Sequence, residues 1–415
     1  MKIPPVRLRL VVGLFCWAAA TVSVAFADVV LEWNATMTGY NERQPPPGVP
    51  PLELRAYALA HLAMLNAIER ATHSHGHAEA AAAQAAHNVL VNLLPGGAPD
   101  FDALLVKQLA GITDGPDKLL GISAGTQAAI RVLADQADDG ATKTEGAYKP
   151  GAQPGNYQFT APFDGPPFNG YAHFPKLGEV RPLVLKSARQ FRVPAPATLL
   201  DSAYVADFNE IKSLGAHEST ARTVDQTNAA RFWFEMSAFG WNRVARILAA
   251  KQTGSLLEHA RLFATLNIAM YDSLVAAFES KYVYNFWRPI TAIHAAETDG
   301  NALTAADTAW EPLMHTPPMP DYPSSHSALG GAAEVVLSWF FHGDEQTFTL
   351  PTTMVSQFPE LQPRTFHRLS DAALENATSR MFAGIHFRSS CLAGLKQGRE
   401  VGHWVVQHAL SADGH

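Results

Sequence analysis

The sequence predicts an all-α protein, and three observations carry that prediction. Apolar residues recur at helical spacing through most of the chain. Sustained period-two alternation is almost absent, so strands are few or none. The one long irregular stretch, at about 140–200, is rich in Gly and Pro and separates two helical halves.

The elements follow in order. LELRAYALAHLAMLNAIERATH (52–73) places its apolar residues on one helical face, and HAEAAAAQAAHNVLVNLL (77–94) is alanine-rich with a polar stripe. FDALLVKQLAGI and KLLGISAGTQAAIRVLADQAD continue the pattern before the irregular stretch. DQTNAARFWFEMSAFGWNRVARILAA and SLLEHARLFATLNIAMYDSLVAAFESKY resume it afterwards. A connection of some sixty residues without periodicity is expected to act as a wrap or lid, because idle loops are short. The expectation is two packed helical bundles, residues 28–250 and 251–415, joined through that Gly/Pro-rich segment.

Residues 1–27 read as a signal peptide. Lys2, Arg7 and Arg9 precede an apolar run at 10–24, and Ala25-Phe26-Ala27 forms a small-x-small cleavage site before Asp28. The expected destination is export, to a bacterial periplasm or the extracellular space. No later segment reaches about 18 uninterrupted apolar residues, so no membrane span is expected in the mature chain. Removing three cations takes the formal charge from −7 to −10. With no basic run, the composition excludes nucleic acid as a partner. Cys16 and Cys391 are the only cysteines, and the first leaves with the signal. The mature chain therefore has neither an internal disulfide nor a cysteine-based metal site.

Several motifs carry no chemistry. Gly121-Ile122-Ser123-Ala124-Gly125 matches a nucleophile elbow, but that motif needs a strand before it and helix flanks it here. It reads as a close helix-packing segment. His73, His75 and His77 lie where one helix gives way to the next, with no carboxylate joining them at helical spacing, and read as loop histidines.

Three segments in the last third place cations in apolar surroundings. KYVYNFWRP holds Lys281 and Arg288, the latter directly before a proline that disfavours helix. DYPSSHSALGGAAEVVLSWFF opens a small-residue core helix with Ser324, Ser325 and His326, where free backbone N–H groups and the helix dipole attract anions. SRMFAGIH carries Arg380 near one helix end and His386 at the opening of the next, across a break at Gly384.

Lys-x6-Arg-Pro, Pro-Ser-x-His and Ser-Arg-x5-His, in this order, resemble the three-part signature of vanadium-dependent haloperoxidases and type-2 phosphatidic acid phosphatases. The chain is most similar to the haloperoxidase branch, as exported bacterial haloperoxidase-like proteins. DVVLEWN, QFRVPAPATL, RLFATLNIAMYDS, YNFWRPITAI and GLKQGREVGHWVV extend the likeness over nearly the whole mature chain. The resemblance implies a tetrahedral oxyanion cradled by Lys281, Arg288, Arg380, Ser324 and the Ser325 N–H. It implies His386 as the residue bonded to vanadate and His326 as its acid–base partner. The implied activity is halide oxidation by hydrogen peroxide, with an organic acceptor as final substrate. The alternatives are a histidine-nucleophile acid phosphatase, with phosphate in the same cradle and a phosphohistidine on His386, and a degenerate oxyanion binder. The oligomeric state is left open.

Two positions depart from the pattern. Ser325 stands where Gly is usual, which would be strained if the site needed φ > 0. Ser390 stands four residues after His386, where the family commonly has an acid. A carboxylate there would fix the imidazole tautomer and raise its basicity, whereas a hydroxyl supplies no charge.

Overall fold

A computed structural model describes residues 28–43 and 50–409. The expected signal peptide lies outside the described residues. Thirteen α-helices are found among those described: Val29–Glu42 (α1), Pro50–His73 (α2), Ala78–Leu93 (α3), Ala98–Ala110 (α4), Pro116–Asp135 (α5), Ser202–Leu214 (α6) and Val224–Phe232 (α7), then Ser237–Ala249 (α8), Leu256–Tyr284 (α9), Pro289–His294 (α10), Ser325–Phe340 (α11), Leu369–Phe382 (α12) and Arg388–His408 (α13). Two three-residue strands, Phe348–Leu350 (β1) and Arg364–Phe366 (β2), pair antiparallel. The all-α prediction holds.

α2, α3 and α5 pack on one another in the first bundle, and α11, α12 and α13 in the second. α9 touches both, with α2 on one side and α11 and α13 on the other. A helix buried on every side needs apolar residues all round, and α9 has them from His259 to Lys281 with few breaks. Ser255 and Glu258 form a capping box at its start. Its carboxylate Asp272 is fully buried and accepts the N–H groups of Leu183, Val184 and Leu185 at 2.7–2.9 Å. That clamp draws the irregular stretch across the helix.

The same stretch then straps the future site. Trp287 N–H donates to Gly155 O at 2.8 Å, Tyr157 N–H to Asn285 O at 2.8 Å, and His173 N–H to Pro318 O at 2.7 Å. The segments carrying Arg288 and Asp321 are thereby held from outside by backbone bonds.

Two sequence readings find their structural reason here. The Gly121–Gly125 motif lies inside uninterrupted α5, with its glycines against the α3 backbone at His77 and Ala81. His73 closes α2, His75 sits in the turn after it, and His77 is the N-cap of α3.

A buried polar network ties the bundles together. Asn34, on α1, donates to Asn242 of α8 at 2.7 Å, and Asn242 exchanges amide hydrogen bonds with Asn267 of α9 at 2.8 and 3.0 Å. Asn34 Nδ2 also lies 3.3 Å from Nε2 of His61, whose Nδ1 bonds Tyr57 O at 2.7 Å. Burial holds His61 neutral and lowers its pKa to about 4. The unfolded imidazole takes up its proton near pH 6.5. The folded chain therefore loses stability as pH falls from there towards 4, by about 3 kcal/mol at full titration. His61→Gln is expected to make the fall in Tm over that range shallower; identical profiles for variant and wild type would show that His61 does not contribute.

Candidate active site

Lys281 is fully buried in the last turn of α9. The chain turns at Asn285, whose φ of 52° closes the helix, and runs extended to Arg288. Pro289 keeps Arg288 out of helix (φ −80°, ψ 155°), so its side chain is presented as the N-cap of α10 rather than from a helix face. Lys281 Nζ donates to the carbonyls of Pro320 and Asp321 at 2.8 and 3.0 Å. Arg288 Nε donates to Met319 O and Nη1 to Ile385 O, both at 2.7 Å.

Ser324 is the N-cap of α11, with its hydroxyl accepting from the Ser327 N–H at 3.3 Å. Its own N–H donates to Ser390 O at 2.9 Å, fastening α11 to the first turn of α13. The two helices approach this closely because Gly394 faces Ser324 O, where any Cβ would overlap the carbonyl. Ser325 is the first helical residue and has no positive φ, so the expected strain is absent. A helical N1 position suits any L-residue, and its N–H stays available.

Arg380 lies in the last turn of α12. Gly384, at φ 79°, reverses the chain against Pro312 and Gly215, an approach that excludes a side chain. His386 therefore sits just outside α13, one residue before its N-cap Phe387, rather than in its first turn.

The structure brings these residues into one pocket. Arg288 Nη1 lies 3.1 Å from His386 Nε2. His326 Nε2 donates to the Trp233 carbonyl at 2.8 Å, and Arg380 Nη1 donates to the same oxygen at 3.1 Å. Neither Trp233 nor its neighbour Phe234, whose ring lies 5.1 Å from the Arg380 guanidinium, was legible as part of the site. A backbone carbonyl has no sequence signal.

A further residue was missed. Asp321 is fully buried; its Oδ1 stands 2.8 Å from His386 Nδ1 and its Oδ2 accepts the Ser390 hydroxyl. A carboxylate thus reaches the imidazole after all, from the segment before Pro323. The sequence held one clue to it: an acid set within the otherwise apolar PPMPDYP immediately before a core helix.

The electrostatics are those of an anion site. Three buried cations face one buried carboxylate, and both imidazoles are held neutral. Burial lowers His386 well below its ordinary value, and Arg288, Lys281 and Arg380 lower it further. Burial and then Arg380 do the same to His326. Burial raises Asp321 to about 7, against the pull of Arg288. Arg288 Nη2 and Arg380 Nε are buried donors without a hydrogen-bond partner. Unsatisfied buried donors are costly, and a tetrahedral oxyanion supplies the acceptors they lack. The residues present fit vanadate or phosphate.

A cavity of about 950 Å³ adjoins the pocket, lined in part by Phe234, Ile290, Met314, Thr316 and Phe358. Ala161 and Pro162 of the irregular stretch form part of its rim. Neither that cavity nor a second one, about 660 Å³ between α2 and α5, is lined by a signature residue.

Helical bundles around a buried, cation-rich oxyanion pocket are the class of protein that the fold and pocket describe. Residues 261–412 match the family model of the VCPO second helical-bundle domain, and the chain resembles the vanadium haloperoxidase branch. The vanadium chloroperoxidase of Curvularia inaequalis is 23% identical over an alignment of 326 residues, with 61% of this chain and 53% of that protein covered. The chain therefore spans about half the length of that curated relative. The crystal structure of a bacterial vanadium-dependent iodoperoxidase is similar with a TM-score of 0.76 and 25% identity, over 91% of this chain and 95% of the other. A holo bacterial vanadium-dependent chloroperoxidase shares the fold at a TM-score of 0.70 and 17% identity, over 92% and 97% of the two chains.

Proposed function

We propose that the protein is a vanadate-dependent haloperoxidase that oxidises halide with hydrogen peroxide. The observation that carries this reading is the pair of orphaned buried donors, Arg288 Nη2 and Arg380 Nε, beside a neutral His386. Vanadate, when bound, supplies a Lewis-acidic centre that activates hydrogen peroxide towards halide.

The residues then divide the work. His386, with Nδ1 towards Asp321, offers Nε2 as the bonding atom. Lys281, Arg288 and Arg380 neutralise anionic oxygens in a desolvated pocket, where charge–charge interactions are stronger than in water. Ser324 and the Ser325 N–H add donors at the N-terminus of α11. His326 holds its proton at Nε2, directed at the Trp233 carbonyl beside Arg380. An oxyanion oxygen or peroxide in that space competes for the same proton, which places His326 to deliver and recover it. Phe234 packs its ring on the Arg380 guanidinium.

The test is halogenation of a phenolic dye by purified protein, with bromide or iodide and hydrogen peroxide, before and after loading with orthovanadate. Activity that appears only after loading supports the proposal; silence with vanadate demonstrably bound overturns it. His326→Ala should keep orthovanadate affinity within a few-fold and lower turnover by about 10²–10⁴. Loss of binding in that variant would instead make His326 part of the cradle.

A second reading, phosphate-ester hydrolysis through His386, is favoured by one observation. The Asp321 carboxylate against Nδ1 supplies the activation that Ser390 lacks. Vanadate-inhibited hydrolysis of a phosphate monoester without halide oxidation would select it. Tight oxyanion binding with neither activity would leave a binding protein.

A further inference from the structure

Asp321 is the one acid among the charged groups named in the pocket. Its position is heavily determined. The backbone N–H donates to Phe286 O at 2.8 Å, and the backbone carbonyl accepts Lys281 Nζ at 3.0 Å. Oδ2 takes the Ser390 hydroxyl, and Arg288 Nη1 lies 3.8 Å from Oδ1.

This is a poor arrangement for a carboxylate kept only for structure. Burying the charge costs several kcal/mol, which a structural ion pair recovers through aligned hydrogen bonds to both oxygens. Here Oδ1 has no aligned donor although it is completely buried. The nearest titratable atom to it is Nδ1 of His386, at 2.8 Å and off the line of a hydrogen bond.

We propose that Asp321 is the positioning residue for His386, clamped by Ser390 so that its carboxylate holds the proton on Nδ1 and leaves the Nε2 lone pair for the oxyanion. The acid absent from position 390 is thus supplied from a different element. Ser390 keeps a part in the arrangement, as the hydroxyl that orients the acid rather than as its substitute. A carboxylate on the far nitrogen fixes both tautomer and ring plane, and raises the basicity of the bonding nitrogen. The inference rests on the oxyanion site proposed above and holds for vanadate and phosphate alike.

The test uses the intact protein and two readouts besides activity. Orthovanadate and inorganic phosphate affinities are measured by calorimetric titration, and the His386 tautomer by ¹⁵N chemical shifts in histidine-labelled protein. Asp321→Asn, nearly isosteric, is expected to weaken orthovanadate binding by about 10–100-fold. It should also release His386 from a single Nδ1–H form. The double variant Asp321→Asn with Ser390→Asp, which moves the acid to the helical position, should recover most of that loss. Asp321→Asn with wild-type affinity and tautomer overturns the inference, whatever its stability, and leaves the halide-oxidising reading intact. Should Asp321→Asn not fold, Ser390→Ala decides: a few-fold weaker binding with a mixed tautomer supports the clamp, and no change in either overturns it. A wild-type chain that binds orthovanadate yet oxidises no halide overturns the proposed function and leaves this inference standing. A wild-type chain that binds neither anion overturns both.

Discussion

Replacing His386 with alanine is expected to reduce vanadate-supplemented halide oxidation by at least about 10³-fold while the chain still folds. The loss should match or exceed the 10²–10³ that follows removal of one preorganised oxyanion donor, because here the bonding atom itself disappears. The polar contacts found for the ring among the described residues are with Arg288 and Asp321, both within the pocket. Without the imidazole between them, those two opposite charges, already 3.8 Å apart, can pair directly and close the cradle. The variant should therefore lose oxyanion affinity as well as turnover, unlike His326→Ala. Steady-state halide oxidation and an orthovanadate titration read the two losses, and full activity in the variant would refute the site assignment.

Orthovanadate or inorganic phosphate is expected to raise the Tm of the wild-type protein by several degrees at saturating concentration. Without an anion the pocket holds like charges out of water. Burial lowers the Lys281 pKa well below the ordinary lysine value, and the neighbouring Arg288 adds to the fall. Burial also lowers Arg380 to about 10, with a smaller contribution from Arg288. An anion that binds only the folded state stabilises it by about 2.7 kcal/mol at one hundred times its Kd. At 0.15 M salt the effect should persist, since screening over about 8 Å acts on exposed charges far more than on buried ones. Arg288→Met should abolish the anion-induced rise and also lower the Tm of the anion-free protein, because it leaves the Met319 and Ile385 carbonyls without their donor and the buried Asp321 without its cation. An unchanged wild-type Tm at saturating anion would count against a buried oxyanion site.

Most of the proposed cradle could be read along the chain. Lys281, Arg288, Ser324, His326, Arg380 and His386 stand out because cations, hydroxyls and imidazoles occupy otherwise apolar stretches, at helix ends where backbone groups are unpaired. Ser325 raised an expectation of strain that the structure removes, since the position is helical and makes no demand for positive φ. His386 lies before the N-cap of α13 rather than within its first turn, because the chain reverses at Gly384 and the new helix starts only at Arg388.

Asp321 marks the limit of that reading. The acid that the family resemblance implies four residues after His386 is a local one, next to it in the chain. The acid that actually meets the imidazole lies sixty-five positions earlier in the chain, brought there by the close packing of α11 on α13 and by the strap of residues 155–173 over its segment. The sequence by itself determined the helical class, the residue types of the cradle and their order, since these depend on periodicity and composition over a few turns. Only the tertiary structure decided which carboxylate faces His386, that the Trp233 carbonyl joins His326 to Arg380, and that two buried donors remain unpaired. Those are distances between elements far apart in the chain, set by the packing of helix ends to within an ångström or so.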